Sequence, residues 1–513
     1  MIALNLEKTT RWLAIAIGIA FIALVLTLSI IRLAYPYEIE WMEGAMMDHV
    51  VRILSGKPIY TAPSIDFVAW LYPPLYYYAV AAVAKVTGIG FLSGRIVSLA
   101  STIFTALALG HITRVITKNL TLGLLTTALY FATYHTTGFY FDIVRNDAFF
   151  TMVIVAAALA AVALPKRFGV VASALILCAA FLTRQQAIFF LPPITLWYWL
   201  RERKDGVAFG MIAVGLSIAA NLILNHLTDG WSNYYMFRIP SAKQADFMII
   251  RMFDVFPNFA LGAFSISFIA GIVLILLKCS GAISVSDCLE KSRSKIHTFF
   301  ASDAGLIVMM MFSALAAGAM SLGNEGGYRN VMMPFVAFVI PALPIALVEL
   351  QKLRPVFSRY IYLPVLFQFA ALYFNPFSQK MLIASPHQQR GGDEFMRNLA
   401  AMTGEVFIPY HGYITLQAGK QSHAHILAAI DVLRMHDTTA RGLQSEFDSA
   451  YSQQRFSAII LEESDTFQTD TTLNHYTFSR RMIAEPNVYL TRVADGVTRP
   501  EFVFVPSSPG GRK

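Results

Sequence analysis

About eleven apolar runs separated by short loops fill the first 374 residues, and this repetition limits the fold more than any other feature of the chain. The first, from Leu13 to Ala34, is apolar apart from Arg32 and long enough to cross roughly 30 Å of hydrocarbon, with Lys8 and Arg11 ahead of it. No small-residue cleavage site follows it, so it reads as an anchor helix and not as a removed signal. Further runs extend from Ile96 to Leu109, Leu120 to Phe139, Ala148 to Leu164, Val170 to Leu182, Ala187 to Leu200, Val207 to Ile223, Phe259 to Leu277, Ala304 to Leu322, Val331 to Leu350 and Ile361 to Phe374. Hydrophobic residues make up 56% of the chain and charged ones 14%, far from a soluble composition.

The formal net charge is +8, but the basic residues come in twos and threes between apolar runs. That is the pattern of membrane loops, not of a nucleic-acid surface. One short run, from Tyr72 to Val86, opens with Pro73-Pro74, and whether it crosses decides the side of every later loop. If it does not cross, the loops with Arg114 and Lys118, Lys166 and Arg167, Arg201, Arg203 and Lys204, Lys278, Lys291, Arg293 and Lys295, and Lys352, Arg354 and Arg359 all share the side of Lys8 and Arg11. The positive-inside rule then makes that side, and the N-terminus, cytoplasmic. "YPPLYYYAVAAVAKVTG" is accordingly expected as a helix lying along or dipping into the outer face. The three cysteines, Cys178, Cys279 and Cys288, lie in or beside the membrane region and offer no disulfide or metal spacing.

From about Asn375 to Lys513 the composition becomes polar and alternating. "GEVFIPY", "FSAIILEE" and "EFVFVPS" read as strands and "DEFMRNLAAM" and "SHAHILAAIDVLRMH" as helices, which predicts a small α/β domain outside the membrane, with "SSPGGRK" as a frayed end. The expected organisation is a membrane domain over 1–374 and an outer domain over 375–513. His423 and His425 lack a third ligand and read as surface residues; His411 and Lys420 stay unassigned.

Just outside the first helix, "YEIEWMEGAMMDHV" gathers Glu38, Glu40, Glu43 and Asp48. Three glutamates in six residues repel one another and raise each other's pKa unless cations or a substrate compensate. Trp41 to Leu54 suits an amphipathic helix with Met42, Met46, Val50 and Ile53 on one stripe and Trp41 as an interfacial anchor. Asp147, in "RNDAFF", falls on the same face, where it also suits the first turn of a helix. So do Arg145, Arg184 in "TRQQA" and Arg329 in "GGYRNVMMP", cations beside apolar spans for which a lipid-borne phosphate would supply the missing anion. The tyrosines around Tyr72 suit either a sugar-binding rim or an interfacial belt.

Taken in order and by side, the acidic loop, "GKPIY", "YPPLYYY", "RND", "TRQQA" and "GGYRNVMMP" resemble the GT-C fold glycosyltransferases, in particular the bacterial relatives of protein O-mannosyltransferases and of lipid A aminoarabinose transferases. The resemblance covers about the first 375 residues. It implies an α-helical polytopic protein of the bacterial cytoplasmic membrane with about eleven spans, outer-face helices and a small outer α/β domain. It also implies a polyprenyl-phosphate sugar as donor and transfer to an acceptor hydroxyl, in a lipid, glycan or protein, on the outer face. The family's Asp-Glu pair falls on Met42-Glu43, so the leading acid is missing, and the general base lies between Glu43, preferred, and Glu40. Asp147 matches the second-loop acid, and Arg184, Arg329 and Arg145 the donor-phosphate positions; Tyr72, Tyr328 and Asp48 are expected at the substrate. The departing phosphate can be stabilised by these arginines or by a divalent metal, Mg or Mn, for which no ligand set is read. A transporter or flippase for a lipid-linked or anionic substrate is the alternative, although matching halves are not seen.

Overall fold

The structure is a computed structural model and describes residues 2–242, 262–279, 289–323, 327–373, 382–462, 474–483, 489, 493 and 499–507. The start of the apolar run at 259–261, the expected border at 374–381, Cys288 and the chain end from 508 lie outside the described residues.

Each apolar run contributes a helix: α1 (Ile2–Leu33), α4 (Phe91–Thr117), α5 (Leu120–Ala132), α6 (Asn146–Ala163), α7 (Lys166–Phe181), α8 (Leu191–Arg201), α9 (Arg203–Leu227), α10 (Ser265–Cys279), α11 (Asp303–Leu322), α12 (Met333–Leu353) and α13 (Leu363–Tyr373). Hydrocarbon offers no partner to a backbone amide, so each segment must satisfy its own, as a helix does. Among the described residues seven helical stretches have at least 18 residues and are apolar enough to cross; the other runs form shorter helices. The run expected to reach Phe139 leaves the helix at Ala132, because the hydroxyls of Thr133, Thr136 and Thr137 donate to carbonyls three residues back and Gly138 and Phe139 take positive φ. Helices α4 and α5 meet at Gly110 and Gly123, where a Cβ on Gly123 would stand 2.7 Å from the Gly110 carbonyl oxygen. Small residues at such a crossing replace the hydrophobic drive that lipid does not provide.

The basic residues collect at one end of the bundle. Arg201 pairs with Asp303 at 2.8 Å, Lys166 with Asp205 at 2.8 Å and Lys352 with Glu349 at 2.9 Å. Lys118, Lys278, Lys295, Asp303 and Glu349 line one cavity there. Helices α2 (Glu43–Leu54) and α3 (Leu75–Thr87) lie at the opposite end, α3 covering most of the doubtful run. The Leu75 amide donates to Leu182 O at the close of α7, and Phe91, opening α4, packs on Tyr413 of the tail. Both ends of α3 are therefore at the tail side, and its 13 residues span only about 20 Å.

The tail forms a four-stranded sheet in the order β1-β2-β4-β3, from β1 (Val406–Phe407), β2 (Ala458–Glu462), β3 (Tyr476–Arg481) and β4 (Pro500–Pro506); β1 and β2 are parallel and the other pairs antiparallel. Its helices are α14 (Pro386–Ala401), α15 (Gly412–Gln417), α16 (Ile426–Leu433) and α17 (Thr438–Ser452). The "SHAH" segment, expected as helix, is extended instead: Ala424 N donates to Ile65 O, and His425 caps α16 through Leu427 N. The stripe on α2 does not face lipid. Met42, Met46 and Val50 join Tyr76, Tyr77 and Val80 of α3 and Ala428, Val432 and Phe447 of the tail in one apolar cluster. Trp41, expected as a membrane anchor, instead stacks near Trp70 and His425 under the tail.

Candidate functional site

Three of the clustered acids are each turned toward a different cation, Glu43 to Arg95, Glu40 to Arg145 and Glu38 to His411, which offsets their mutual repulsion. Arg95 of α4 reaches back under α1. It donates to the carbonyls of Arg32 (3.0 Å), in the last turn of α1, and of Tyr35 (2.6 Å) and Tyr37 (2.7 Å), just beyond it. The same guanidinium grips Glu43 with Nε (2.9 Å) and Nη2 (2.7 Å). Glu43 also accepts the amides of Ile39 at 2.6 Å and Val144 at 2.9 Å. Burial would raise the Glu43 pKa, but Arg95 and these amides outweigh it and hold the group below its usual value. A carboxylate with every lone-pair direction taken is a clamp between two loops, not a ready proton acceptor. This argues against the preferred base; nothing in the sequence pointed to Arg95.

Glu40 is equally buried but differently held. Its Oε2 accepts Met42 N at 3.0 Å, and its Oε1 faces Arg145 Nη1 at 3.0 Å and Tyr140 OH at 3.3 Å. Here burial wins over Arg145, and the pKa is pushed up to about 7. Such a group exchanges protons near neutral pH. Glu38 points elsewhere, to His411 Nδ1 of the tail, whose Nε2 lies 3.1 Å from Glu462. Asp48, expected at the substrate, also faces the tail, accepting Ser422 Oγ at 3.0 Å.

Asp147 sits in the first turn of α6, 1% exposed. It accepts Arg184 Nη1 and, at 2.9 Å, Asn330 Nδ2; Arg145 Nε is 3.8 Å away. Its Oδ2 is buried without a hydrogen bond. Arg145 and Arg184 thus find anions inside the protein, contrary to the expectation that they wait for one. They nonetheless line, with Tyr72, Gln185, Gln186 and Asn330, a cavity of about 370 Å³ between the loops. Arg184 lies 5.5 Å over the Tyr72 ring. Tyr328 packs against Tyr140 at 5.8 Å between ring centres, beside the cavity residue Gly327, whereas Arg329 is exposed and does not line the cavity.

Of the expected residues, Tyr72, Arg145 and Arg184 line the cavity; Glu40 and Asp147 lie behind it, ion-paired to those two arginines, while Glu43, Asp48 and Arg329 neither line it nor pair with its arginines. Asn330, one residue beyond Arg329, was missed; its only signal was a polar amide opening an apolar helix. His423 and His425 are buried, not on the surface: His423 bonds Asp66 at 3.0 Å, and burial lowers the His425 pKa to about 3. Among the described residues no three His, Cys, Asp or Glu side chains converge on a metal site.

No protein-family model and no curated protein sequence matches the chain. Solved structures do. ArnT from Cupriavidus metallidurans bound to undecaprenyl phosphate is similar at a TM-score of 0.55 and 10% identity, over 96% of this chain and 98% of that one. The same protein in its apo state gives 0.53 and 11%, over 97% and 98%. The oligosaccharyltransferase of Archaeoglobus fulgidus in complex with Zn and sulfate gives 0.50 and 10%, over 94% and 75%. The likeness runs through both the helices and the tail, and the chain has the GT-C fold.

Proposed function

We propose that this chain is an integral-membrane glycosyltransferase that moves a sugar from a polyprenyl-phosphate donor to an acceptor hydroxyl on the outer face of a bacterial cytoplasmic membrane, with residues 375–513 as an outer domain. One observation carries the reading: Arg145 and Arg184 line a single cavity while holding Glu40 and Asp147 by ion pairs. A donor phosphate entering the cavity competes for the two guanidiniums and releases the carboxylates from them. The fold it shares with a structure bound to undecaprenyl phosphate supports a lipid-borne donor.

In this mechanism Glu40 is the general base, in place of the expected Glu43. It takes the proton of the acceptor hydroxyl as that oxygen attacks the anomeric carbon. The bond from the anomeric carbon to the phosphate oxygen breaks, and the leaving phosphate keeps the electron pair, held by Arg184 and Arg145. Attack opposite the leaving group inverts the anomeric centre. Asp147, turned between Arg145, Arg184 and Asn330, orients the arginines until the donor phosphate displaces it. Tyr72 forms the wall beside the donor.

The test is transfer of labelled sugar from polyprenyl-phosphate donors in membranes at matched expression. Glu40→Gln should abolish transfer while leaving the protein folded, and Arg184→Gln should raise the donor concentration needed. Full transfer by Glu40→Gln overturns the base assignment. Failure of the wild type with every donor, together with uptake or flipping of the lipid-linked sugar, moves the chain to the transporter class.

A further inference from the structure

A second cavity, of about 910 Å³, lies in the tail between α14 and the sheet. Among the described residues its charged lining is Arg390, Arg397, Arg481 and Arg499 against Glu394 and Glu501, four positive charges to two negative, with His387 beside them. The helix builds half of it. His387, Arg390, Glu394 and Arg397 follow one another at spacings of three and four, so they share one face. The other face is buried: Phe395 and Leu399 are in the tail core, and Gly392 packs so tightly on Tyr37 that a Cβ would stand 2.4 Å from its ring. The remaining arginines come from the end of β3 and from the residue before β4. Both are held by one buried carboxylate, Glu501, 2% exposed, with Arg481 Nη1 at 3.2 Å and Arg499 Nη2 closer. That pairing positions two guanidiniums with one charge left over. Arg390 and Arg397 are exposed and have no ion-pair partner among the described residues.

We propose that this cleft is an anion-binding site for a phosphate carried on a larger body, such as a phosphorylated glycan or a lipid headgroup. It is separate from the cavity lined by Arg145 and Arg184 and does not depend on the function assigned there. All four cations are arginines, whose planar forks suit the bidentate grip of a phosphate better than lysines do. The volume exceeds what a bare phosphate fills and falls within the range of small-molecule sites. The apolar floor of Phe395, Met482 and Ile483 gives the carrier a surface to rest on.

The experiment is calorimetric titration of the purified full chain in detergent with pyrophosphate as probe. Wild type should bind saturably. The paired substitution Arg390→Ala with Arg397→Ala, both on an exposed face and so harmless to folding, should weaken binding roughly tenfold or more. Arg184→Gln, which alters only the other cavity, should leave this binding in place. Absence of saturable binding, or binding lost in Arg184→Gln and unchanged in the paired variant, overturns the proposal. Repeating the titration in nanodiscs separates the two sources. Suppression by phosphatidylglycerol relative to phosphatidylcholine assigns the site to a headgroup, and equal binding in both assigns it to a soluble or glycan-borne phosphate. The outcome is independent of the transfer assay, because a chain that transfers sugar with an empty cleft, and one that fills the cleft without transferring, give different results.

Discussion

Glu40 and Glu43 stand three residues apart and differ in what surrounds them, so their substitutions should part company. Glu43→Gln leaves the buried Arg95 guanidinium without its counter-charge, a loss expected to cost about 3–5 kcal/mol. Its thermal unfolding in detergent should show this, and any drop in transfer would follow the drop in folded protein. Glu40→Gln should keep its melting temperature closer to wild type and lose about 10²–10⁴-fold in turnover. The pH profile supplies a second reading. A base must be deprotonated to act, and Glu40 is pushed up to about 7. The transfer rate should fall as pH drops through that value and level off above it; a rate flat from pH 5 to 8 would count against Glu40. The acids themselves were legible, since a tight carboxylate cluster beside an apolar span is conspicuous. Their cations were not, because Arg95 lies 52 residues from Glu43 and Arg145 lies 105 from Glu40. No local pattern marks a pair made across such a separation.

Helix α2 is the element on which the acidic loop and the tail meet. At Gly44 an added Cβ would fall 2.0 Å from Glu38 Oε1 and 3.0 Å from the Tyr413 side chain. Gly44→Ala should push α2 away from α15 at a cost of about 1–3 kcal/mol, seen as a lower melting temperature and faster proteolysis of the tail. The amphipathic stripe of α2 was readable from its period, but what covers it was not. Periodicity shows that a face is apolar; it does not tell lipid from protein. The same limit misplaced Trp41. At α14 the sequence held more than was read from it. Ser385 and Gln388 form a capping box around Pro386, so the helix begins seven residues before the "DEFMRNLAAM" segment. β3 was missed because "YTFSRR" shows alternation over too few residues, and its five partners lie on β4, about 25 residues further along the chain.

An ion cluster of Glu38, His411 and Glu462 joins the acidic loop to the tail. Burial would lower the His411 pKa, but Glu38 and Glu462 on either side outweigh it and push it up to about 10. A folded value above the unfolded one, about 6.5, means that the stabilisation is complete below 6.5 and is lost as pH rises through 10. The melting temperature of His411→Gln should therefore fall below wild type at pH 7, and the gap should close by about pH 10. Sidedness is open to a separate check on the full chain. A cysteine in place of Arg390 should react with an impermeant maleimide in intact cells, and one in place of Lys204 only after the membrane is opened. Charge counting along the sequence was enough to set the lysines and arginines of five loops on one side, because translocation cost is a property of each loop and needs no tertiary contact. The helical character of the apolar runs was settled in the same way, since a backbone in hydrocarbon has to bond to itself. Which carboxylate meets which guanidinium, that α2 lies beneath the tail, and that four arginines from a helix, the end of β3 and the residue before β4 line one cleft, were decided by the tertiary structure alone. Those arrangements depend on where distant segments come to rest, and burial then sets the charge and proton affinity of each group.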